Sequence, residues 1–138
     1  MTLRFGLRVP TAGSPQETAE YAARVEGAGF DFLWMPDTPL LAGRWRDVYG
    51  HLTGAALATK TLRLGPGVTN PLTRHPVTTA SAILTLDETA NGRADLVAGT
   101  GYSSAYIIGK KAATLATMQH ATLLWRSIFH AQLTQLGG

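Results

Sequence analysis

Leu62-Arg63-Leu64-Gly65-Pro66-Gly67-Val68-Thr69-Asn70-Pro71-Leu72-Thr73-Arg74-His75-Pro76 reads as a short strand, a Gly/Pro-rich loop and the start of a helix. Leu62 and Leu64 carry the strand signal, and the residues after them carry the turn signal. Pro76 suits the first turn of a helix, where its missing N–H is not needed. Such a junction aims bare backbone and small polar groups at one point. Parallel α/β proteins place their ligands there. The plain alternative is an ordinary loop stiffened by Pro66, Pro71 and Pro76. Three further junctions of the same kind speak against it.

Working back to the N-terminus, Leu3, Phe5, Leu7 and Val9 alternate with Arg4, Gly6 and Arg8 at strand period, and Pro10 closes the strand. Ser14-Pro15-Gln16-Glu17 forms a capping box with proline at the first helical position. The helix it opens carries Thr18, Tyr21, Val25 and Ala28 on one face, and Gly29 is its left-handed cap. Asp31 to Pro36 is a second strand, with Asp37 at its C-terminal end. A helix starting near Asp47 presents Val48, Leu52, Ala55, Ala56 and Thr59 inward.

Working forward, the helix after Pro76 places Ala80, Ile83, Leu84 and Asp87 at helical spacing and ends at Asn91-Gly92. Ala94 to Gly99 is the fourth strand. A last amphipathic helix is predicted from Ala113 to about His130, burying Leu115, Met118, Trp125 and Phe129. Residues 131–138 read as a tail. The order β-α-β-α-β-α-β with short connections predicts parallel strands and right-handed crossovers in an α/β fold.

The chain has 138 residues, enough for one core, with 45% hydrophobic and 15% charged residues. The absence of cysteine excludes disulfides and thiol chemistry. With no membrane-spanning run and no signal-peptide pattern, a cytoplasmic location is expected, without membrane partners. The net charge is +3, but the basic residues form no cluster beyond Lys110-Lys111, so a nucleic-acid partner is not expected. No acidic residue occurs from Leu96 onward.

Polar residues collect where strands end: Asp37 after the second, Thr69 and Asn70 after the third, Thr100 and Ser103 after the fourth. Gly67, Gly99 and Gly101 would let a flat ligand approach the backbone. His51, His75, His120 and His130 lack metal-ligand spacing, so no metal site is predicted. No nucleophile elbow, phosphate-binding loop with lysine, or paired carboxylates occurs. Asp37 reads equally as a loop anchor, and Arg74-His75 as a cap on the next helix. Open backbone with few acids or bases suits a cofactor that brings its own chemistry, such as a flavin.

Three stretches, residues 29–37, 64–76 and 85–101, together resemble the bacterial-luciferase-like superfamily of flavin- and deazaflavin-dependent oxidoreductases. The middle stretch is most similar to the methylenetetrahydromethanopterin-reductase branch. The resemblance implies a TIM barrel and hydride transfer with coenzyme F420, FMN being the alternative. It implies cofactor- or substrate-facing positions at Asp37, Gly67, Val68, Thr69, Asn70, Thr100 and Gly101. It also implies a non-proline cis peptide at Gly67-Val68. Tyr102 stands where many relatives carry an acid.

The resemblance runs from Leu3 to about residue 130, so residues 1–130 are expected to form four βα units, the front half of such a barrel. The expected ligand is a small-molecule substrate, and a homo-oligomer is one expected assembly. A half-barrel alone is expected to turn over little. The competing expectation is a non-catalytic half-barrel that acts only through self-association or a partner.

Overall fold

The computed structural model describes residues 3–130. The predicted tail, 131–138, lies outside them. Four parallel strands stand in the order of the chain: β1 (Gly6–Arg8), β2 (Phe32–Met35), β3 (Arg63–Thr69) and β4 (Val97–Ala98). Between them run α1 (Pro15–Gly27), α2 (Val48–Ala58) and α3 (Pro76–Thr89). Two helices follow β4: α4 (Tyr102–Ile107) and α5 (Leu115–Phe129). The expected βα rhythm is therefore present, with two added elements, a 3-10 turn at Leu41–Gly43 between β2 and α2 and the short helix α4.

The helices start where local chemistry directs them. Ser14 and Glu17 close the reciprocal capping box at α1. Asp47 accepts the Gly50 amide at 3.0 Å to cap α2, and His75 Nδ1 accepts the Val77 amide at the head of α3. Asn91 and Gly92 both take positive φ just past α3, which turns the chain back toward β4.

Alternate strand residues face opposite sides. Leu33 and Met35 of β2 and Leu64 of β3 pack beneath the helices with Val25, Leu52, Ala56 and Leu86. Phe32 and Trp34 face the other way and stack with ring centroids 5.5 Å apart, and the Arg4 guanidinium lies over Phe32. The buried His51 pairs its Nδ1 with Thr18 Oγ1 at 2.7 Å, joining α2 to α1, and burial lowers its pKa. Gly65 sits where β3 crosses the approach to β4. A Cβ there would stand 1.9 Å from the Asp95 carbonyl oxygen, which no side chain could occupy.

Two long-range clamps close the helix ends. Glu26, near the end of α1, accepts the backbone amides of Lys60, Thr61 and Leu62 at 2.6 to 3.2 Å. Arg93 is buried and donates to the carbonyls of Ala56, Thr59, Leu62 and Ala90 and to Thr59 Oγ1. It thereby satisfies carbonyls left over at the C-terminal ends of two helices.

Several predicted burials are corrected. Leu115 is 85% exposed, because the helix turns Ala121 and Trp125 inward instead; Trp125 Nε1 donates to the Pro76 carbonyl at 2.8 Å. Leu84 is exposed, and Thr79 and Leu86 take the inner face of α3 with Ala80 and Ile83. Ala28 is likewise exposed, and Ala22 joins Thr18 and Val25 inside α1. The fourth strand shrinks to two residues, preceded by an isolated bridge between Leu64 and Ala94.

Candidate functional site

The C-terminal ends of the four strands share one rim, and the polar residues meet there in two layers. Asp37, Thr69 and Asn70 form the inner layer, all buried. Thr69 Oγ1 donates to Asp37 Oδ2 at 2.7 Å, and Arg74 Nε lies 3.7 Å from the same oxygen. Arg74 also pairs with Asp47 and lies over the Tyr49 ring at 4.8 Å. Burial raises the Asp37 pKa, and the hydrogen bond from Thr69 and the charge of Arg74 oppose that shift. Burial, with Asp37 nearby, also pushes the Tyr49 phenol well above its ordinary value.

Asn70 is used by its own turn. Its Oδ1 accepts the amides of Leu72 and Thr73 at 3.0 Å each, and its Nδ2 donates to Thr73 Oγ1 at 2.9 Å. Gly101 fits against it. With φ +71°, Gly101 is in the left-handed region, and a Cβ there would lie 2.5 Å from Asn70 Cγ.

The outer layer lines an open depression of about 280 Å³. Val68, Gly99, Thr100 and Gly101 line it together with Arg8, Thr38 and Tyr102. The Gly67–Val68 peptide is cis, as the resemblance implied, and the β3–β4 register shifts between Gly67 and Thr69. The Val68 side chain is partly exposed to the depression. The Gly67 carbonyl accepts Arg8 Nε at 2.7 Å, and the Val68 carbonyl accepts the Asp37 amide at 3.2 Å. Ser104 Oγ donates to the Asp37 carbonyl at 3.0 Å and lies 3.1 Å from Thr38 Oγ1.

Of the predicted site residues, Val68, Thr100 and Gly101 therefore line the depression. Gly67 reaches its edge through its carbonyl. Asp37, Thr69 and Asn70 stand behind it and shape its wall. Its lining combines glycine backbone, one branched side chain, and Thr, Ser and Tyr side chains. No side chain in its wall is an acid. A larger cleft of about 490 Å³ opens elsewhere, between the end of β1 and α1, away from these residues.

Sequence reasoning missed Arg8, Thr38 and Ser104. Arg8 carried a legible signal: it ends the first strand on the face opposite Leu7. Ser104 did not, since its place depends on α4. Among the described residues no group of three or more His, Asp or Glu side chains is placed to hold a metal, and no helix is long and apolar enough to cross a membrane.

Known proteins share sequence and fold with this chain. 5,10-Methylenetetrahydromethanopterin reductase of Archaeoglobus fulgidus is 41% identical over 99 residues, covering 72% of this chain and 29% of that protein. The coenzyme F420 dependent tetrahydromethanopterin reductase of Methanopyrus kandleri superposes with a TM-score of 0.79 at 28% identity, over 92% of this chain and 40% of that one. The oxygenating constituent of 3,6-diketocamphane monooxygenase of Pseudomonas putida, solved with FMN, shares the fold at 20% identity and a TM-score of 0.75, over 94% of this chain and 40% of that one. The chain thus spans less than a third of the length of the curated methylenetetrahydromethanopterin reductases it matches. Its four βα units form part of the barrel of these enzymes. The model of the luciferase-like monooxygenases matches residues 2–135, nearly all of the sequence, and the chain belongs to that family.

Proposed function

We propose that this chain supplies the first half of the cofactor and substrate site of an oxidoreductase that uses coenzyme F420, with FMN as the alternative. The observation that carries the reading is the depression at the strand ends, walled by Val68, Gly99 and Gly101 and free of facing acids. The F420-dependent relatives support the cofactor, and the FMN-bound structural neighbour supports the alternative. The bound cofactor would supply hydride transfer.

The chain's own residues would bind and orient. Val68 and the adjacent backbone would back the ring. Thr100 and Gly101 would border it. Asp37, Thr69 and Asn70 would keep the wall rigid, since each is held by hydrogen bonds within the protein. The substrate would be a small molecule on the open side of the ring, and the reading includes a cytoplasmic setting. Titration with F420 and with FMN, followed by absorbance and fluorescence, tests it. Saturable binding of one of the two selects the branch. Failure of both in a folded sample removes the reading.

A second reading has its own observation. The outer edges of β1 and β4 lack a strand neighbour among the described residues, and Leu3 and Phe5 are exposed beside the β1 edge. Such edges pair readily. The chain would then act by self-association, without catalysis. Sedimentation at micromolar concentration decides: a strictly monomeric, well-folded chain argues against it.

A further inference from the structure

We infer that Arg8 is an anion anchor, selecting ligands that carry a carboxylate or phosphate group into the depression at the strand ends. The inference rests on reading that depression as a ligand site. Arg8 is the one charged side chain in its wall. Its Nε is tied to the Gly67 carbonyl at 2.7 Å, which fixes the guanidinium beside Val68. The other four N–H donors sit on the two terminal nitrogens, and no acidic side chain among the described residues pairs with them.

The surroundings reinforce this. Asp37 is an acid of the same rim, but it is 3% exposed and turned to Thr69 and Arg74. Residues 99–104 of the lining come from the segment after Leu96, which contains no acid at all. Thr38, Thr100 and Ser103 add neutral hydroxyl groups that can donate. A planar guanidinium held by one nitrogen and open at two others matches the two oxygens of a carboxylate or phosphate. A cationic or wholly neutral ligand would leave that group without a partner in the complex.

The test compares the natural 138-residue chain with two variants of one position, R8Q and R8K. Inorganic phosphate is titrated at constant ionic strength, with binding read from thermal stabilisation and from the shift of the Arg8 Nε–H resonance. Wild type is expected to bind phosphate saturably. R8Q should bind at least about tenfold more weakly, and R8K should fall between them, having charge without the fork. Arg8 is exposed, so the variants should fold, and circular dichroism checks this. The resonance shift needs no variant.

FMN is then compared with riboflavin, and F420 with its phosphate-free deazaflavin. If R8Q weakens only the phosphate-bearing forms, the anion belongs to the cofactor. If R8Q affects neither form yet loses phosphate, the anion belongs to the substrate. If no cofactor binds but phosphate still binds through Arg8, the flavin reading fails and the anchor stands. Phosphate binding that is absent in wild type, or equal in wild type and R8Q, overturns the inference.

Discussion

Thr69, the last residue of β3, and Asp37, two residues past β2 and 32 residues away in the chain, are joined by a 2.7 Å hydrogen bond in the buried wall of the rim. The bond is possible because β2 and β3 run parallel in register, Met35 opposite Pro66. It also explains how a carboxylate persists there: the hydroxyl donates to the charged form and offsets part of the desolvation.

Thr69→Val should therefore destabilise the protein by about 1–3 kcal/mol near neutral pH. The sign of its pH dependence follows. Losing the donor raises the Asp37 pKa further, so the penalty is largest where the carboxylate is charged and shrinks as acid protonates it. Urea denaturation of both proteins at pH 8 and pH 4 checks this. An equal loss at the two values would show that Asp37 is not the group responsible.

Glu26 offers the opposite case. Partial burial pushes its pKa up, but the amides of Thr61, Leu62 and Lys60 outweigh that and bring it down to about 2. A carboxyl held below its unfolded value stabilises above that unfolded value, near 4.3. The contribution is lost as pH falls from there toward 2. Because the side chain is partly solvated, Glu26→Gln should cost only about 1–2 kcal/mol at pH 7. It should cost little at pH 2, and the difference in acid denaturation midpoints measures it.

Arg93 is buried and makes five side-chain hydrogen bonds, and its donors hold α2, the start of β3 and the end of α3 together. Removing it leaves several buried carbonyls unpaired. Arg93→Ala should cost about 3 kcal/mol or more, and Arg93→Lys should recover only part, because an ammonium cannot spread its donors over the same carbonyls. A lysine variant as stable as wild type in thermal denaturation would contradict this account.

These residues also mark what the sequence could and could not announce. Strand ends were legible because alternation and turn residues are local, so Asp37, Thr69 and Thr100 could be placed on one rim in advance. Helix caps at Ser14 and Asp47 were legible for the same reason. The clamps were not: Glu26 meets residues 34 to 36 positions away, and Arg93 reaches back as far as Ala56. Within the sequence Arg93 looks like part of a turn. Helix α4 was missed because six residues with exposed Tyr102 and Tyr106 carry no amphipathic signal. Leu84 and Leu115 misled because an apolar residue at helical spacing need not face the core when a neighbouring face packs better.

Gly101 packs directly against this wall. Its φ of +71° is one that side-chain-bearing residues rarely take, and its missing Cβ leaves room for Asn70. Gly101→Ala must either strain the backbone or displace the Asn70 side chain, which holds the Leu72 and Thr73 amides. The expected loss of stability is about 1–2 kcal/mol. If the depression binds F420 or FMN, the loss of affinity should be larger than this stability change suggests, since the displaced turn shapes the wall itself. Ala at the neighbouring Gly99 is a useful contrast: its Cβ would come nearest to the Val68 side chain, with Cγ2 at 3.0 Å, and φ is not in the left-handed region. Cofactor titration of both variants, beside their melting curves, separates the effects. Gly101→Ala should lose at least about tenfold in affinity while remaining folded. Unchanged affinity in a folded Gly101→Ala protein would place the ligand away from this wall.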